Sequence, residues 1–194
     1  MFISFEGIDG CGKTTMIEML CQYLKEKNIE VVKTREPGGT PVSDKCREIL
    51  LHSKDVLSHR CEIMLFLAAR AQHVDQLIKP SLAQGKWVLS DRYADSFFAY
   101  QSFGREFDFN LIKHINDFAC DNVYPDKTFY LDIDVQTSLA RQTDPDKISS
   151  SGEDFFNKIK KGFDTLCENY PERFIRINAS NPKDEVFKEI LSHL

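Results

Sequence analysis

The order of short apolar segments and longer helical stretches constrains the fold most strongly. Five short segments are rich in β-branched or aromatic residues: Phe2–Glu6, Val31–Thr34, Trp87–Ser90, Thr128–Asp132 and Phe174–Asn178. Each is mostly apolar throughout, which indicates strands buried on both faces of a parallel sheet. Because helical spacing fills the stretches between them, we expect an α/β protein with a five-stranded parallel sheet, flanked by helices and joined by right-handed crossovers.

The predicted helices lie between and after these strands. The first begins at Lys13 and ends in the polar residues Lys25–Asn28, and the others cover Val42–Leu51, Arg60–Ala83, Asn110–Asn122, Asp154–Tyr170 and Lys183–Leu194. Neither an internal repeat nor a composition break divides the chain, so we expect a single domain over residues 1–194. The polar run Gln142–Glu153 is interpreted either as a surface loop or as a short lid.

Charge and composition exclude several classes of protein. With 25 Lys and Arg against 30 Asp and Glu, the formal charge is −5, which does not favour a nucleic-acid binder. The longest strongly apolar run, Ile63–Ala69, is far shorter than a bilayer span, and no targeting segment precedes the first strand. Six scattered cysteines form no C-x-x-C pair. We therefore expect a cytoplasmic protein without a membrane segment or a His/Cys metal site.

A phosphate-binding motif directly follows the first predicted strand. Residues 7–14 read GIDGCGKT, which matches G-x-x-x-x-G-K-[ST], and a helix pattern begins at its end. The glycines let backbone N–H groups converge on phosphate oxygens, and the helix start favours an anion. Lys13 is expected to reach the β/γ-phosphates and Thr14 the Mg²⁺ ion. The motif predicts a three-layer P-loop fold that binds ATP or GTP. The predicted nucleotide contacts are Gly7, Ile8, Asp9, Gly10, Cys11, Gly12, Lys13, Thr14 and Thr15.

Charged residues at the ends of the next two strands indicate a second anion beside the nucleotide. Asp91 and Arg92 follow the third strand, and Arg35 follows the second. Ligands of open α/β sheets gather at these carboxyl ends. Asp91 is predicted to bind Mg²⁺, and Arg92 to clamp a phosphate. Asp9, inside the phosphate loop, needs a cation or hydroxyl partner, which a sugar hydroxyl of a second substrate would supply.

Taken together, these motifs resemble the bacterial thymidylate kinases, which transfer the γ-phosphoryl group of ATP to dTMP. The similarity covers essentially the whole chain, through FEGIDGCGKTT, TREPGGT, LFLAAR, IKPSLAQGKWVLSDRY, AYQSFGRE, YPDKTFYLD and DFFNKI. It implies ATP and Mg²⁺ as cofactors, dTMP as the substrate, and a homodimer.

The resemblance also implies roles for residues on the dTMP side. Phe66 and Arg70, four residues apart on one helix face, would stack on the thymine ring and bond a base carbonyl. Tyr100 would crowd the sugar and favour a 2′-deoxy substrate, while Gln101 would contact the base. The remaining implied substrate contacts are Asp9, Arg35, Glu36, Arg47 and Arg92. By apolar pattern alone, Phe66 would be a core residue.

Two departures from the family pattern affect these expectations. Phe97 stands where relatives carry a small polar residue that bonds the base, so its side chain cannot supply that hydrogen bond. The segment before Asp146–Ile148 is shortened and lacks the expected arginines. Lys147 or Arg141 must then supply the positive charge of the lid as a catalytic residue beside Lys13, Arg92 and Asp9. Since lysine is a poorer planar clamp than arginine, we expect a modest turnover.

Other functions remain open at the level of sequence. A deoxynucleoside kinase would phosphorylate a hydroxyl and need a carboxylate base, for which Asp91 or Glu6 are candidates. A P-loop regulatory ATPase would act through a partner, although the chain has no N-K-x-D guanine signature. A catalytically silent nucleotide-binding module is favoured only by the arginine-poor lid.

Overall fold

A single parallel sheet organises the protein. The computed structural model describes residues 1–141 and 152–194. The strands are β1 (Phe2–Glu6), β2 (Val31–Arg35), β3 (Trp87–Asp91), β4 (Lys127–Asp132) and β5 (Phe174–Asn178), in the order β2-β3-β1-β4-β5. All neighbouring strands pair in parallel. The predicted α/β fold is confirmed, and each predicted strand begins and ends within one residue of the observed one.

Helices cover the sheet and connect its strands. Within the described residues they are α1 (Lys13–Glu26), α2 (Pro41–His52), α3 (His59–His73), α4 (Lys79–Ala83), α5 (Ala94–Phe98), α6 (Phe109–Cys120), α7 (Val135–Arg141), α8 (Glu153–Asn169) and α9 (Lys183–Ser192). Side-chain caps begin several of them: Thr40 accepts from the Ser43 N–H, and Ser58 from the Cys61 N–H. None of these helices has the length and apolarity to cross a bilayer.

The helix predicted over Arg60–Ala83 has the right extent, but its central part is not α-helical. A π turn, Val74–Ile78, separates α3 from α4. Pro80 has no N–H group with which to continue the helical hydrogen bonds. The Ser81 hydroxyl donates to the Leu77 carbonyl at 2.6 Å, one turn earlier. The helical segment is therefore continuous from α3 to α4, but its hydrogen bonding changes at Val74–Ile78.

Two helices were not predicted. Every residue of α5 is buried, and a π segment, Ala99–Gly104, continues it. A segment buried on all sides has no polar face, so the amphipathic pattern that marks a surface helix is missing. The other helix, α7, has only seven described residues. Its first turn is held by Asp134, whose carboxylate accepts from the Thr137 N–H at 2.8 Å.

Burial of the strands on both faces was predicted for all five and is correct for the three inner ones. Every residue of β1 is buried, whereas Lys33 and Arg35 of β2 and Arg176 of β5 are exposed. The order of the sheet explains the difference, because β2 and β5 lie at its edges and are covered less completely.

The sheet topology places the loops after β1 and β3 on either side of a crevice. The connection after β1 leads toward β2, at one edge of the sheet. The connection after β3 leads in the opposite direction, toward β4. At such a switch point the two connections diverge beyond the carboxyl ends of neighbouring strands. The phosphate loop and the residues Asp91–Tyr93 consequently face each other.

A buried ion pair fastens α5 to the sheet. Arg173, just before β5, donates to both carboxylate oxygens of Asp95 at 2.6 and 2.7 Å, and to the Thr128 hydroxyl at 2.8 Å. Asp95 is fully buried. The pair fixes the helix that carries several side chains of the site described below.

Replacing Arg173 tests how strongly this pair supports the fold. Arg173→Met leaves the Asp95 carboxylate buried without its cation, so we expect the free energy of unfolding to fall by about 3–5 kcal/mol. Urea unfolding followed by circular dichroism measures it. As a control, Lys158→Met removes a solvent-exposed pair with Glu106 and should change little. Equal effects of the two variants would contradict a structural role for the buried pair.

Candidate active site

The loop between β1 and α1 folds as phosphate-binding loops do because glycine occupies its tight positions. Gly7 and Gly10 have φ angles of 136° and 79°. A Cβ atom on Gly7 would lie 2.7 Å from the Leu131 carbonyl oxygen, and one on Gly10 would lie 3.0 Å from that of Ser138. Only glycine fits at these two positions, which brings the loop close to β4 and α7.

Lys13 lies across this loop. Its ammonium group donates to the carbonyl oxygens of Gly7 and Ile8, both at 3.2 Å, and is 4.0 Å from an Asp9 carboxylate oxygen. The side chain is buried, whereas Thr14 and Thr15 beside it are exposed. The lysine charge is thus held at the start of α1, where the helix also presents unpaired N–H groups.

Two adjoining cavities lie at this edge of the sheet. The first, here the phosphate-loop cavity, is lined by the loop and by the ends of β2 and β3, including Gly12, Lys13, Thr14, Thr15, Arg35 and Asp91. The second, here the aromatic cavity, is lined by Phe66, Tyr93, Phe97 and Tyr100 together with Arg70 and Gln101. Four charged residues line both: Asp9, Glu36, Arg47 and Arg92. The site therefore has two compartments with a charged boundary.

Most of the predicted nucleotide contacts line the phosphate-loop cavity, but two side chains point elsewhere. Ile8 and Cys11 are buried in the hydrophobic core. Only the backbone groups of these two residues remain as possible ligands, in keeping with the backbone recognition typical of such loops.

The two predicted Mg²⁺ ligands meet in the phosphate-loop cavity. The Thr14 hydroxyl donates to an Asp91 carboxylate oxygen at 2.9 Å. A hydroxyl and a carboxylate are oxygen ligands of the kind that Mg²⁺ prefers, and Mg²⁺ usually keeps several waters beside one or two such groups. The residues present thus fit a magnesium ion bound between loop and strand.

Arg92 joins the loops after β1 and β3. One guanidinium nitrogen donates to an Asp9 carboxylate oxygen at 2.5 Å, and the other donates to the Gly7 carbonyl at 2.8 Å and to Ser96 at 3.0 Å. Its charge also lies 5.4 Å from the centre of the Tyr100 ring. The sequence predicted that Asp9 needs a cation or hydroxyl partner, and in the structure the cations Arg92 and Lys13 lie beside it.

Arg70 is fixed on several sides. Its Nε and one terminal nitrogen donate to the same Glu36 oxygen at 2.8 and 2.6 Å, and the other terminal nitrogen donates to Asn116 at 2.6 Å. The rings of Tyr93 and Phe97 lie 5.2 and 5.1 Å from the guanidinium carbon. Three of the five guanidinium N–H donors are thereby used, which leaves two to bind a ligand in the aromatic cavity.

Glu36 is held by a second partner as well as Arg70. His73 Nδ1 lies 2.9 Å from the other Glu36 oxygen, and His73 Nε2 lies 2.7 Å from the Thr34 hydroxyl. Burial would raise the pKa of Glu36, but Arg70 and His73 outweigh it and lower the pKa below its ordinary value. Glu36 is therefore an ionised anchor for Arg70.

The aromatic cavity combines rings with a polar group that has no protein partner. The Phe66 and Phe97 rings are tilted against each other at 6.2 Å, and both line the cavity. Gln101 is buried, and its carboxamide oxygen has no hydrogen-bond partner among the described residues. A flat ligand with an N–H group at its edge would satisfy this oxygen.

The remaining predicted residues lie at the rim. Arg35 is exposed at the end of β2, and Arg47 of α2 donates to the Pro37 carbonyl at 2.9 Å. Arg141 of α7 is exposed and donates to the Gly10 carbonyl at 3.3 Å. Lys147, the other predicted lid cation, lies outside the described residues, as does most of the predicted lid, residues 142–151.

Sequence reasoning missed several residues that line or support the site. Ser96 and Arg105 line the aromatic cavity, Asn116 accepts a hydrogen bond from Arg70, and His73 bonds Glu36, the carboxylate that holds Arg70. Helical spacing could have indicated His73, because it lies three residues after Arg70 on the predicted helix, whereas Ser96 and Arg105 belong to or follow helical segments whose sequence shows no such pattern. Asn116 has no such signal, since it reaches Arg70 from another helix.

Comparisons with known proteins agree with this geometry. The family model described as thymidylate kinase matches residues 5–190. The thymidylate kinase of Fervidobacterium nodosum is 42% identical over 193 residues, covering 98% of this chain and 96% of that protein. That of Thermosipho africanus is 43% identical, covering 99% and 96%. A crystal structure of thymidylate kinase from Ehrlichia chaffeensis superposes with a TM-score of 0.82 at 37% identity, covering 100% and 97% of the two chains. The predicted resemblance is confirmed: the chain belongs to the thymidylate kinase family.

Proposed function

We propose that the protein transfers the γ-phosphoryl group of ATP to the phosphate of dTMP, which yields ADP and dTDP for DNA synthesis. The observation that carries this proposal is the pair of adjoining cavities, one built around a phosphate loop and the other around aromatic rings and Arg70. Membership of the thymidylate kinase family supports it. Donor and acceptor would meet at the charged boundary between the two cavities.

The donor triphosphate is assigned to the phosphate-loop cavity. Backbone N–H groups of the loop would hold its oxygens, and Lys13 would turn from the Gly7 and Ile8 carbonyls to the β/γ-phosphates. Thr14 and Asp91 would hold Mg²⁺, which neutralises charge on the phosphates when bound. The protein contributes position and charge here rather than a covalent step.

The acceptor nucleotide is assigned to the aromatic cavity. Its base would stack on Phe66 and bond the free N–H groups of Arg70 and the unpartnered oxygen of Gln101. Tyr100 would crowd the sugar, and the acceptor phosphate would then lie against Arg92. Arg35, Glu36 and Arg47 complete the proposed contacts at the rim and boundary.

No general base is needed for this reaction. A phosphate monoester has a second pKa near 6, so the acceptor is mostly dianionic at neutral pH and already nucleophilic. Catalysis then consists of holding two polyanions in line and balancing their charge through Lys13 and Arg92. Asp9, which forms an ion pair with Arg92, would hold this arginine in position at the boundary between the two substrates. Arg141, which already contacts the loop, or Lys147 would supply the lid cation. Closure of the lid would exclude water.

The geometry does not favour the alternative deoxynucleoside kinase. Glu6 is fully buried and lines neither cavity, and Asp91 lies on the phosphate-loop side, bonded to Thr14. A carboxylate base for a sugar hydroxyl would have to face the acceptor. A regulatory ATPase or a silent nucleotide-binding module would have no use for the second, aromatic cavity beside the loop.

We further propose that the protein is a cytoplasmic homodimer without nucleic-acid or membrane partners. Apolar side chains are exposed on two helices that pack together: Met64 of α3, and Leu111 and Phe118 of α6. Phe118 is 90% exposed, an unusual degree for a phenylalanine in a monomer. All six cysteines are free thiols, which suits a reducing compartment.

A substrate panel tests the proposed activity. Release of ADP from ATP is measured with dTMP, dUMP, CMP, AMP and thymidine as acceptors. We expect dTMP to give the highest kcat/KM, because thymidine lacks the phosphate that Arg92 would bind. Faster phosphorylation of thymidine would indicate the deoxynucleoside kinase, and a rate indifferent to dTMP would indicate an ATPase.

Lys13→Ala tests the assignment of the donor. The variant loses the charge that would stabilise the transferred phosphoryl group, so we expect kcat to fall by about 100-fold or more. Binding of dTMP, followed by calorimetry, should change by no more than about threefold, because the aromatic cavity is untouched. Lys25→Ala, an exposed lysine near the end of α1, is the matched control. Unchanged kcat in the Lys13 variant would remove the loop from the mechanism.

Arg70→Ala tests the assignment of the base. Loss of its hydrogen bonds should raise the KM for dTMP by about tenfold to 100-fold, since hydrogen bonds to a buried charged group contribute strongly. The KM for ATP should change by about twofold or less. Thermal unfolding of the same variant shows whether enough folded protein remains, because Glu36 loses its cation. Equal losses for the two substrates would contradict the assignment.

A further inference from the structure

Glu6 is a carboxyl group that none of the roles above uses. It ends the central strand β1, is fully buried, and lines neither cavity. A buried carboxyl group is costly unless both of its oxygens are hydrogen bonded. Both oxygens of Glu6 have partners, and both partners belong to the segment that carries Arg92.

Two hydrogen bonds connect Glu6 to this segment. Its Oε1 accepts from the Tyr93 backbone N–H at 2.8 Å, and its Oε2 accepts from the Ser96 hydroxyl. Ser96 Oγ in turn accepts from a terminal nitrogen of Arg92 at 3.0 Å. A single hydroxyl group thus separates the Glu6 carboxyl from the Arg92 guanidinium.

The backbone at Arg92 needs this support. Arg92 has a φ angle of 67°, in the left-handed region that a residue with a Cβ atom adopts unfavourably. Its carbonyl accepts from the Ser90 hydroxyl at 2.7 Å, and the next N–H group, that of Tyr93, is the one held by Glu6. Such a conformation persists only where its surroundings enforce it.

We propose that Glu6 is a positioning residue for phosphoryl transfer, which holds Arg92 against the acceptor phosphate through the Tyr93 amide and the Ser96 hydroxyl. This inference rests on the proposed function, in which Arg92 binds dTMP. Glu6 itself touches neither substrate.

The direction of the hydrogen bonds makes the position of Arg92 depend on whether Glu6 is ionised. While Arg92 donates to Ser96 Oγ, the single hydroxyl hydrogen of Ser96 points to Glu6 Oε2, which accepts it most strongly when Glu6 is ionised. The charged groups that face Glu6 are Asp95 of α5, Arg92 and Arg173. Burial, and then Asp95, raise the pKa of Glu6 to about 8 despite Ser96, Arg92 and the Tyr93 N–H. Ionisation of Glu6 therefore falls within an accessible pH range.

Glu6→Gln tests the proposal with almost no change of shape. The carboxamide oxygen can still accept from the Tyr93 N–H, but the amide nitrogen donates toward Ser96 and leaves the serine hydrogen without its acceptor. We expect kcat/KM for dTMP to fall by about tenfold and the KM for ATP to change by about twofold or less. Asp126→Asn is the matched control, because Asp126 accepts the Phe2 N–H at the other end of the same strand, at 2.7 Å.

The pH profile separates positioning from a merely structural role. Between about pH 7 and about pH 9 the dTMP phosphate is already dianionic, so ionisation of Glu6 should raise kcat/KM for dTMP in the wild type. The rise should be absent in Glu6→Gln and in Ser96→Ala, and present in Asp126→Asn. Ser96→Ala decides the matter if Glu6→Gln does not fold. An unchanged profile in these variants, or equal losses toward ATP and dTMP, would overturn the proposal.

A measurement without substrate distinguishes this proposal from the proposed function. Because the folded pKa of Glu6 is raised above its unfolded value, the folded state binds the extra proton, and stability should decline as pH rises from about 5 to about 8. Urea unfolding should show a smaller decline for Glu6→Gln. Equal declines in the two proteins would show that Glu6 does not titrate as proposed, whatever the substrate is.

Discussion

The ion pair between Arg92 and Asp9 is the contact on which the site depends. Asp9 belongs to the loop after β1 and Arg92 to the segment after β3, and the parallel sheet brings these two loops together at its switch point. Both residues line both cavities. Without Arg92, the Asp9 carboxylate would repel a triphosphate held in the same loop. The pair thus permits an acidic group inside a phosphate-binding site and keeps an arginine ready at the boundary.

The side chain of Arg70 is already fixed in position before any ligand binds. Arg70 is held by Glu36 and Asn116 and packs against the rings of Tyr93 and Phe97, so little conformational entropy remains to be lost when a base binds. Phe97 packs on the Arg70 guanidinium, with its ring centre 5.1 Å from the guanidinium carbon. The local concentration of arginine and lysine also explains how a chain with a net charge of −5 could hold two anions.

Sequence reasoning was strongest where a local pattern decides the structure. The apolar strands and the G-x-x-x-x-G-K-T motif depend on neighbouring residues, and both were found in place. The apolar pattern alone predicts that Phe66 belongs to the core. Only the resemblance to a family predicted a ligand-binding position for it, and it lines the aromatic cavity. Glu6 and Asn116 could not be predicted as supports for Arg92 and Arg70, because their partners are distant in sequence and meet only in the folded chain. The helix α5 was missed for a related reason, since complete burial removes the polar face.

We propose above all that two nucleotides occupy the adjoining cavities together and share the boundary at Arg92. Calorimetric titration with adenosine and thymidine joined through a polyphosphate chain tests it most directly, because this compound reaches both cavities only if they are continuous. We expect it to bind far more tightly than either dTMP or ATP alone, since the second half binds at a high effective concentration. Binding no tighter than that of ATP alone would contradict the two-cavity site.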